Sequence, residues 1–423
     1  MLRTFGLWFW LAAAIFVTAT PRLGQATPDV AGGQALELRR HLEQLGVPRW
    51  HRLGYRGQGV KIAVLDTGFE GWRQYLGKGL PKQVTVRSFR ADGNLEARAS
   101  QHGILCAEIL HALAPDAELL LANWDTETPA TFLQAVRWAK EQGARVLTCS
   151  VIMPSWSDGE GGGAHHAALD RLIGDDVLFF ASAGNIAQRH WCGAFCPDEN
   201  GWHQWRSHVV KNTVEPWGPE RVAVELYGPL DSAAELKVLD SVTGVAIGQT
   251  ELRSNYGDRR PWGQALIRFD PQPRHNYLIC VKCGAVAKQS GDAKFHLVVL
   301  GGTLEHNNPS GSVAFPADGA RVLAVGAVDA AGRRAPYSSC GPNSRKPKPD
   351  FVAVAPFPCR CRERPFAGTS AAAPQAAALA ALWWSRQPTW SAAQVSAALH
   401  AAALDLGPVG HDWETGYGLI RLP

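Results

Sequence analysis

The chain has 423 residues, which is enough for two or three domains with buried cores. Hydrophobic residues make up 46% of it and charged residues 19%, a globular composition that excludes a disordered or collagen-like chain. Its 42 basic and 38 acidic residues give a net charge of +4 without a long basic run, so no nucleic-acid partner is expected.

Residues 1–26 have the pattern of a secretory signal peptide. Arg3 precedes an apolar stretch over 7–19 that is too short to cross a bilayer comfortably, and small residues suitable for cleavage surround Gln25. An uncleaved anchor is the alternative. With cleavage, the remaining chain is expected to be secreted or periplasmic, without a membrane partner, in a compartment that permits disulfide bonds.

A short N-terminal segment, 27–47, is followed by alternating strand and helix patterns. Alternation of this kind predicts βαβ units, and so a doubly wound, mostly parallel sheet with helices on both faces. The predicted strands are 60–65, 117–124, 145–151 and 177–181, and the predicted helices are 103–113, 130–142 and 164–173.

The alternation stops after Asn185 and resumes more than a hundred residues later. Between about 205 and 305, short apolar runs are separated by Gly, Pro, Asn and Asp, a pattern that predicts a small all-β, sandwich-like domain. A strand over 321–327 and helices over 369–386 and 391–402 then follow. The expected organisation is an α/β domain in two parts, 48–190 and 310–423, interrupted by a β domain over 205–305.

Three separate segments each place a reactive side chain beside small residues: Asp66, His102 and Ser370. A serine hydroxyl becomes a good nucleophile when a histidine takes its proton, and that histidine needs a carboxylate to fix its tautomer. Asp66 follows a predicted strand, at the edge where ligand sites of α/β sheets lie. Ser370 begins a predicted helix, whose dipole favours developing negative charge.

The oxyanion of such a reaction needs a donor, and Asn185 is the candidate. It follows the strand over 177–181, so it also projects from the carboxyl edge of the sheet.

These segments resemble those of subtilisin-like serine peptidases, the subtilase family. The chain order Asp, His, Ser is that of subtilisins. The resemblance covers about 48–188 and 310–422 and rests on four motifs in order: Val64-Leu65-Asp66-Thr67-Gly68, His102-Gly103, Ser182-Ala183-Gly184-Asn185 and Gly368-Thr369-Ser370-Ala371-Ala372-Ala373-Pro374.

The resemblance implies a secreted endopeptidase acting on protein or peptide substrates. Asp66, His102 and Ser370 would form its triad, and Asn185 would donate to the oxyanion. Ser150, Val151 and Ile152 would form an edge strand that pairs with the substrate, and Ser182, Ala183 and Gly184 the opposite wall of the S1 pocket. The chemistry needs no cofactor, no metal ligand is assigned, and a structural calcium, frequent in the family, has no identifiable ligand cluster.

Several positions depart from the family pattern. Ile104 stands where a small hydroxyl residue is usual, and Ile152 replaces a glycine at the entrance to S1. Ala371 and Gln375 replace methionine and histidine, and 27–47 is too short for the usual folding propeptide. Two alternatives therefore stay open: an inactive homologue that binds a peptide or glycan, and an esterase that does not cleave amides.

Nine cysteines leave at least one unpaired in the monomer. Cys192 and Cys196 are predicted to form a disulfide, the alternative being a zinc site with His203 and His208. Cys106 lies four residues after His102 and is expected beneath the imidazole as a buried small residue. The alternative is a thiol that makes the enzyme sensitive to heavy-metal reagents.

Overall fold

The computed structural model describes residues 28–254, 262–283, 294–344 and 346–423. The predicted signal peptide, 1–26, lies outside the described residues. Within the described residues, no helix combines the length and the apolar character that a membrane crossing requires.

Seven parallel strands form the main sheet of the described residues. The strands are β1 (Lys61–Leu65), β2 (Thr85–Ser88), β3 (Glu118–Asn123), β4 (Val146–Cys149), β5 (Leu178–Ser182), β16 (Val322–Val328) and β17 (Phe351–Val354). Their order in the sheet is β17-β16-β5-β4-β1-β3-β2. The strand predicted over 60–65 is β1, an interior strand between β4 and β3, and it is apolar because both of its faces are covered.

Helices cover both faces of this sheet. They are α1 (Pro28–Gln44), α2 (Val47–Arg52), α3 (His102–Leu113), α4 (Pro129–Glu141), α5 (Ala164–Ile173), α6 (Thr369–Arg386) and α7 (Ala392–Ala402), with short 3-10 helices at Trp72–Tyr75, Pro154–Trp156 and Leu230–Ser232. Ile62 and Val64 of β1 pack into the core beneath α1, α3, α6 and α7, whereas Ala63 and Leu65 face α4 and α5. The doubly wound α/β fold predicted from the sequence is confirmed.

In the part of the chain that the structure describes, ten further strands form two antiparallel sheets that pack face to face, called the sandwich below. The strands are β6 (His190–Ala194), β7 (Asn212–Pro216), β8 (Val222–Pro229), β9 (Glu235–Asp240), β10 (Ala246–Glu251), β11 (Arg253–Ser254), β12 (Trp262–Phe269), β13 (Tyr277–Lys282), β14 (Lys294–Leu300) and β15 (Gly302–Leu304). The sheet orders are β10-β9-β13-β7-β15 and β11-β12-β8-β14-β6. A core between them contains Val224 and Leu297 of one sheet with Val238 and Ile279 of the other.

The sandwich packs against the α/β part through the outer face of its second sheet. Successive side chains of a strand point to opposite faces, so Val224 of β8 faces the sandwich core while Ala223 and Tyr227 face outward. These outward residues meet Ile152 and Ile186 of the α/β part in a separate small core. The inserted domain is therefore packed beside the segment 150–152.

The predicted disulfide between Cys192 and Cys196 is not present: all nine cysteines lie within the described residues and all are free thiols. Cys192 lies in β6, and Cys196 follows the end of that strand. Four residues of extended chain span roughly 13 Å, whereas a disulfide joins Cα atoms about 4.4 to 6.8 Å apart. The extended backbone of this segment thus keeps the two thiols apart.

Candidate active site

Asp66 follows the last residue of β1 and is fully buried. Its Oδ1 accepts hydrogen bonds from the backbone N–H groups of Thr67 (2.7 Å) and Gly68 (3.0 Å). The other oxygen, Oδ2, lies 2.7 Å from Nδ1 of His102. One carboxylate oxygen is therefore held by the turn after β1, and the second is available to the histidine.

Glycines allow the two segments to approach this closely. A Cβ on Gly103 would lie 2.7 Å from Cβ of Asp66 and 2.6 Å from the ring of Phe69. A Cβ on Gly68 would lie 2.9 Å from the backbone nitrogen of His102. Since real Cβ contacts are not that short, any side chain at either position would push Asp66 and His102 apart.

His102 is the first residue of α3, and its ring meets the ring of Phe366 edge to face at a centroid distance of 5.4 Å. Burial lowers the pKa of His102, but the charge and the hydrogen bond of Asp66 outweigh it, so the pKa lies above its usual value of 6.5. Nδ1–H donates to Asp66, which leaves Nε2 as the basic nitrogen.

Ser370 is the second residue of α6 and is buried. Its hydroxyl donates to the carbonyl oxygen of Ser150 at 3.4 Å, and the Ser150 hydroxyl donates to the carbonyl oxygen of Ser370 at 3.2 Å. This reciprocal pair joins the start of α6 to the chain that leaves β4.

Cys106 lies beside Asp66 and Ser370 within the site, as its helical spacing from His102 predicts. Its Sγ lies 4.0 Å from Oδ2 of Asp66 and 3.6 Å from the carbonyl oxygen of Ser370. Burial, followed by the charge of Asp66, raises the pKa of this thiol well above its usual value. The structure thus brings Asp66, His102 and Ser370 around one buried, uncharged cysteine.

Asn185 lies beside Ser370 in a fixed orientation. Its Oδ1 accepts from both the backbone N–H and the hydroxyl of Thr369, each at 2.9 Å. Because two donors meet that atom, the amide cannot be reversed without placing N–H against N–H. Nδ2 therefore lies on the side of Gly368, where a Cβ would come within 2.8 Å of it. Sequence reasoning missed this role of Thr369.

The edge strand predicted over 150–152 is not formed, because these residues follow β4 without continuing the strand. The predicted opposite wall begins at Ser182, the last residue of β5, and continues through Ala183 and Gly184. Cδ1 of Ile152 lies 3.7 Å from the place that a Cβ on Gly184 would occupy, so the two segments are neighbours. Ile152 is 3% exposed and packs with Ile186 and Tyr227 in the core beside the sandwich. Ile104, another departure from the family pattern, is fully buried in the core that contains α3.

A buried ion pair beneath the site was not predicted. Nη2 of Arg362 lies 2.7 Å from Oε1 of Glu108, and the same guanidinium donates to Tyr75 and to Gln101, the residue before His102. A glutamate in the apolar pattern of α3 was the one signal available in the sequence. Burial raises the pKa of Glu108, and Arg362 opposes that rise.

Comparison with known proteins gives the family. The model of the subtilase family matches residues 57–205 and 262–418, most of the chain. Minor extracellular protease Vpr of Bacillus subtilis is 24% identical over 420 residues, covering 84% of this chain and 49% of Vpr. Subtilisin DY of Bacillus licheniformis is 33% identical over 126 residues, covering 30% of this chain and 44% of that protein. The chain spans about half the length of these curated relatives.

Solved structures show the same fold. The CspB protease of Clostridium perfringens superposes with a TM-score of 0.64 at 15% identity, covering 90% of this chain and 95% of that one. A lanthipeptide protease superposes with a TM-score of 0.50 at 18% identity, covering 92% and 96% of the two chains. Together with the family match over both parts of the α/β domain, these findings show that the chain belongs to the subtilase family.

Proposed function

We propose that this chain is a serine endopeptidase that hydrolyses peptide bonds through an acyl-enzyme. The observation that carries the proposal is the hydrogen bond between Asp66 and His102, at a site where Ser370 lies in the first turn of α6. A buried carboxylate bonded to Nδ1 leaves Nε2 to act as a base, which is what a serine nucleophile needs. Membership of the subtilase family supports the same assignment.

In the proposed reaction, Oγ of Ser370 attacks the carbonyl carbon of the scissile peptide bond, and its proton passes to Nε2 of His102. His102 then gives that proton to the leaving amine, and an ester between the substrate and Ser370 remains. Water attacks this ester with His102 again as the base, which releases the acid and restores Ser370. Asp66 stays ionised throughout and stabilises the charged imidazole.

The negative oxygen formed in each attack would be held by Nδ2 of Asn185 and by the backbone N–H of Ser370. Thr369 supports the first donor, because it occupies Oδ1 of Asn185 and so directs Nδ2. The helix N-terminus supports the second, since the first N–H groups of a helix have no partner within it. Losing one such donor costs about 100- to 1000-fold in turnover in a subtilisin.

The proposed substrates are proteins or peptides, with a small residue at P1. The substrate backbone would lie along Ser150 and Val151, as an added strand does. Cδ1 of Ile152 lies close to Gly184, which would leave little room for a large P1 side chain there. The match to an extracellular protease supports secreted or periplasmic action, which the apolar segment over 7–19 also predicts.

The test is labelling of the purified chain with a fluorophosphonate, which reacts where a base activates a serine. We expect labelling and peptide cleavage by the wild type and loss of both in Ser370→Ala. Ser207→Ala, an exposed serine in the sandwich, is the matched control and is expected to keep both. Labelling that survives in Ser370→Ala would refute the proposed nucleophile.

One observation favours the alternative of a peptide-binding homologue without turnover: Cδ1 of Ile152 lies 3.7 Å from the place of a Cβ on Gly184, between the two segments proposed to form S1. That alternative predicts a folded wild type that neither labels nor cleaves peptides but binds them. An esterase would label and cleave esters, yet leave amides intact.

A further inference from the structure

A group of side chains that could bind a metal ion lies outside the proposed active site, where the sandwich meets the α/β part. It consists of Glu160, Cys192 and His296, and the ligand atoms of all three lie within 4.8 Å of one another. Cys192 belongs to β6 and His296 to the neighbouring β14. Glu160 belongs to the loop 157–163, which follows the segment 150–152 in the α/β part.

Hydrogen bonds assign the tautomer of His296. The carbonyl oxygen of Asn308 lies 2.9 Å from Nδ1 of His190, and a carbonyl only accepts, so His190 donates there. Both histidines are fully buried, which disfavours a charged ring. Nε2 of His190 is then an acceptor and receives N–H from Nδ1 of His296 at 3.1 Å. The free lone pair of His296 is therefore on Nε2, the nitrogen that faces Cys192.

The ring of His296 is held by close packing. It stacks on Tyr227 with a centroid distance of 4.9 Å and an angle of 6°. Gly159 also lies against the ring, where a Cβ would come within 2.3 Å of Nε2, so the backbone itself packs there. Asn343 donates to the carbonyl oxygen of Gly159 at 3.1 Å, which holds the loop in place. Glu160, the next residue, is thereby kept near the free nitrogen.

We propose that Glu160, Cys192 and His296 bind a zinc ion, with a water molecule as the fourth ligand. Zinc takes sulfur, nitrogen and carboxylate ligands in a tetrahedral arrangement, with bonds of about 2.3 Å to sulfur and 2.0 to 2.1 Å to nitrogen. Those bonds at a tetrahedral angle place sulfur and nitrogen roughly 3.6 Å apart. Sγ of Cys192 and Nε2 of His296 are 3.7 Å apart.

The hydrogen bonds that lead from His296 to His190 and on to Asn308 are typical of a metal-binding histidine, whose other ring nitrogen donates to a fixed acceptor. One competing cation is present: Nζ of Lys294 lies 3.2 Å from Oε1 of Glu160. The Lys294 side chain is 52% exposed and can turn into solvent as zinc binds. The proton of the Cys192 thiol leaves to the buffer, because the thiolate is the ligand.

This site goes beyond the proposed peptidase activity and does not depend on it. The ion would join both parts of the molecule, since two ligands come from the sandwich and the third from the loop after 150–152. Its binding is expected to stabilise the packing of the sandwich beside the substrate segment. The zinc site considered from the sequence as the alternative to a disulfide, with Cys192, Cys196, His203 and His208, is a different one. In the structure, His203 uses Nδ1 to accept the backbone N–H of Cys196.

The test is metal binding by the full chain after removal of metals with a chelator. We expect the wild type to retain one more Zn²⁺ per chain in equilibrium dialysis than Cys192→Ser does. With Co²⁺ in place of zinc, we expect a near-ultraviolet thiolate-to-metal band in the wild type that Cys192→Ser loses. Cys196→Ser removes a thiol from the same segment and serves as the matched control, and Cys106→Ser controls for the thiol beside His102.

Glu160→Gln tests the site without removing a buried group. Glu199→Gln is its control, because Glu199 is an exposed glutamate in the connection between β6 and β7. We expect at least 10-fold weaker Zn²⁺ binding for Glu160→Gln and no change for Glu199→Gln. Zn²⁺ should also raise the melting temperature of the wild type more than that of Glu160→Gln. The proposal is overturned if Cys192→Ser keeps the cobalt band, if Cys106→Ser or Cys196→Ser abolishes it, or if the wild type retains no Zn²⁺.

Discussion

Oδ2 of Asp66 and Nδ1 of His102 are joined by a hydrogen bond of 2.7 Å in which the carboxylate is fully buried. Burial alone would lower the pKa of His102, yet the carboxylate keeps it above 6.5. The base must be neutral to accept the proton of Ser370. We therefore expect kcat/KM to rise with pH, with a midpoint above 6.5, and to fall as His102 becomes protonated below that midpoint.

Asp66→Asn is expected to lower kcat by about 10,000-fold, because an amide no longer fixes the correct tautomer. Without the negative charge, the pKa of His102 should also fall, and the midpoint of the remaining activity should move to lower pH. A pH profile of both forms checks this. An unchanged midpoint would mean that Asp66 does not act on the group that titrates.

Gly103→Ala is expected to reduce kcat/KM roughly 100-fold or more, since small displacements of catalytic groups have costs of that size. The new methyl group would lie 2.7 Å from Cβ of Asp66, so the carboxylate must move away from His102. Gly33→Ala is the matched control, because a Cβ there meets nothing within 4 Å. Equal activity of the two variants would show that the site tolerates this displacement.

Ile152→Ala is expected to shift P1 selectivity towards larger residues. Its side chain fills the space beside Gly184, and a few methyl groups in such a pocket change discrimination about 10- to 200-fold. The measurement is kcat/KM for peptides that differ in having Ala or Phe at P1. Ile247→Ala, on an outer strand of the sandwich, serves as the control. If the ratio for the two peptides stays constant in Ile152→Ala, P1 does not bind beside Ile152.

Arg362→Met is expected to lower the free energy of unfolding by about 3 to 5 kcal/mol, because it leaves Glu108 buried without its partner. Adding Glu108→Leu should recover most of that loss, since the uncompensated charge is then gone. Urea unfolding of the single and double variants checks both statements. Arg39→Met breaks an exposed pair with Glu43 and should change stability by no more than about 1 kcal/mol. Equal effects at Arg362 and Arg39 would contradict this reading.

Local pattern was enough to predict most elements of the α/β part. The apolar run that became β1 is buried on both faces, and the helices predicted over 103–113 and 369–386 are α3 and α6. The short strand β2 was missed because its four residues alternate between exposed and half-buried positions. The first described helix, α1, was missed as well: its sequence is polar on average, and its burial depends on a few contacts such as that of His41 with Gln375.

The sequence by itself determined the family, the α/β fold with its inserted β domain, and the order of Asp66, His102 and Ser370, because these depend on periodicity and on short motifs. Only the tertiary structure showed the support of Asn185 by Thr369, the pairing of Glu108 with Arg362 across 254 positions, and the meeting of Cys192 with His296. Each of these joins residues more than a hundred positions apart, and no local pattern encodes which distant side chain will satisfy a buried polar group.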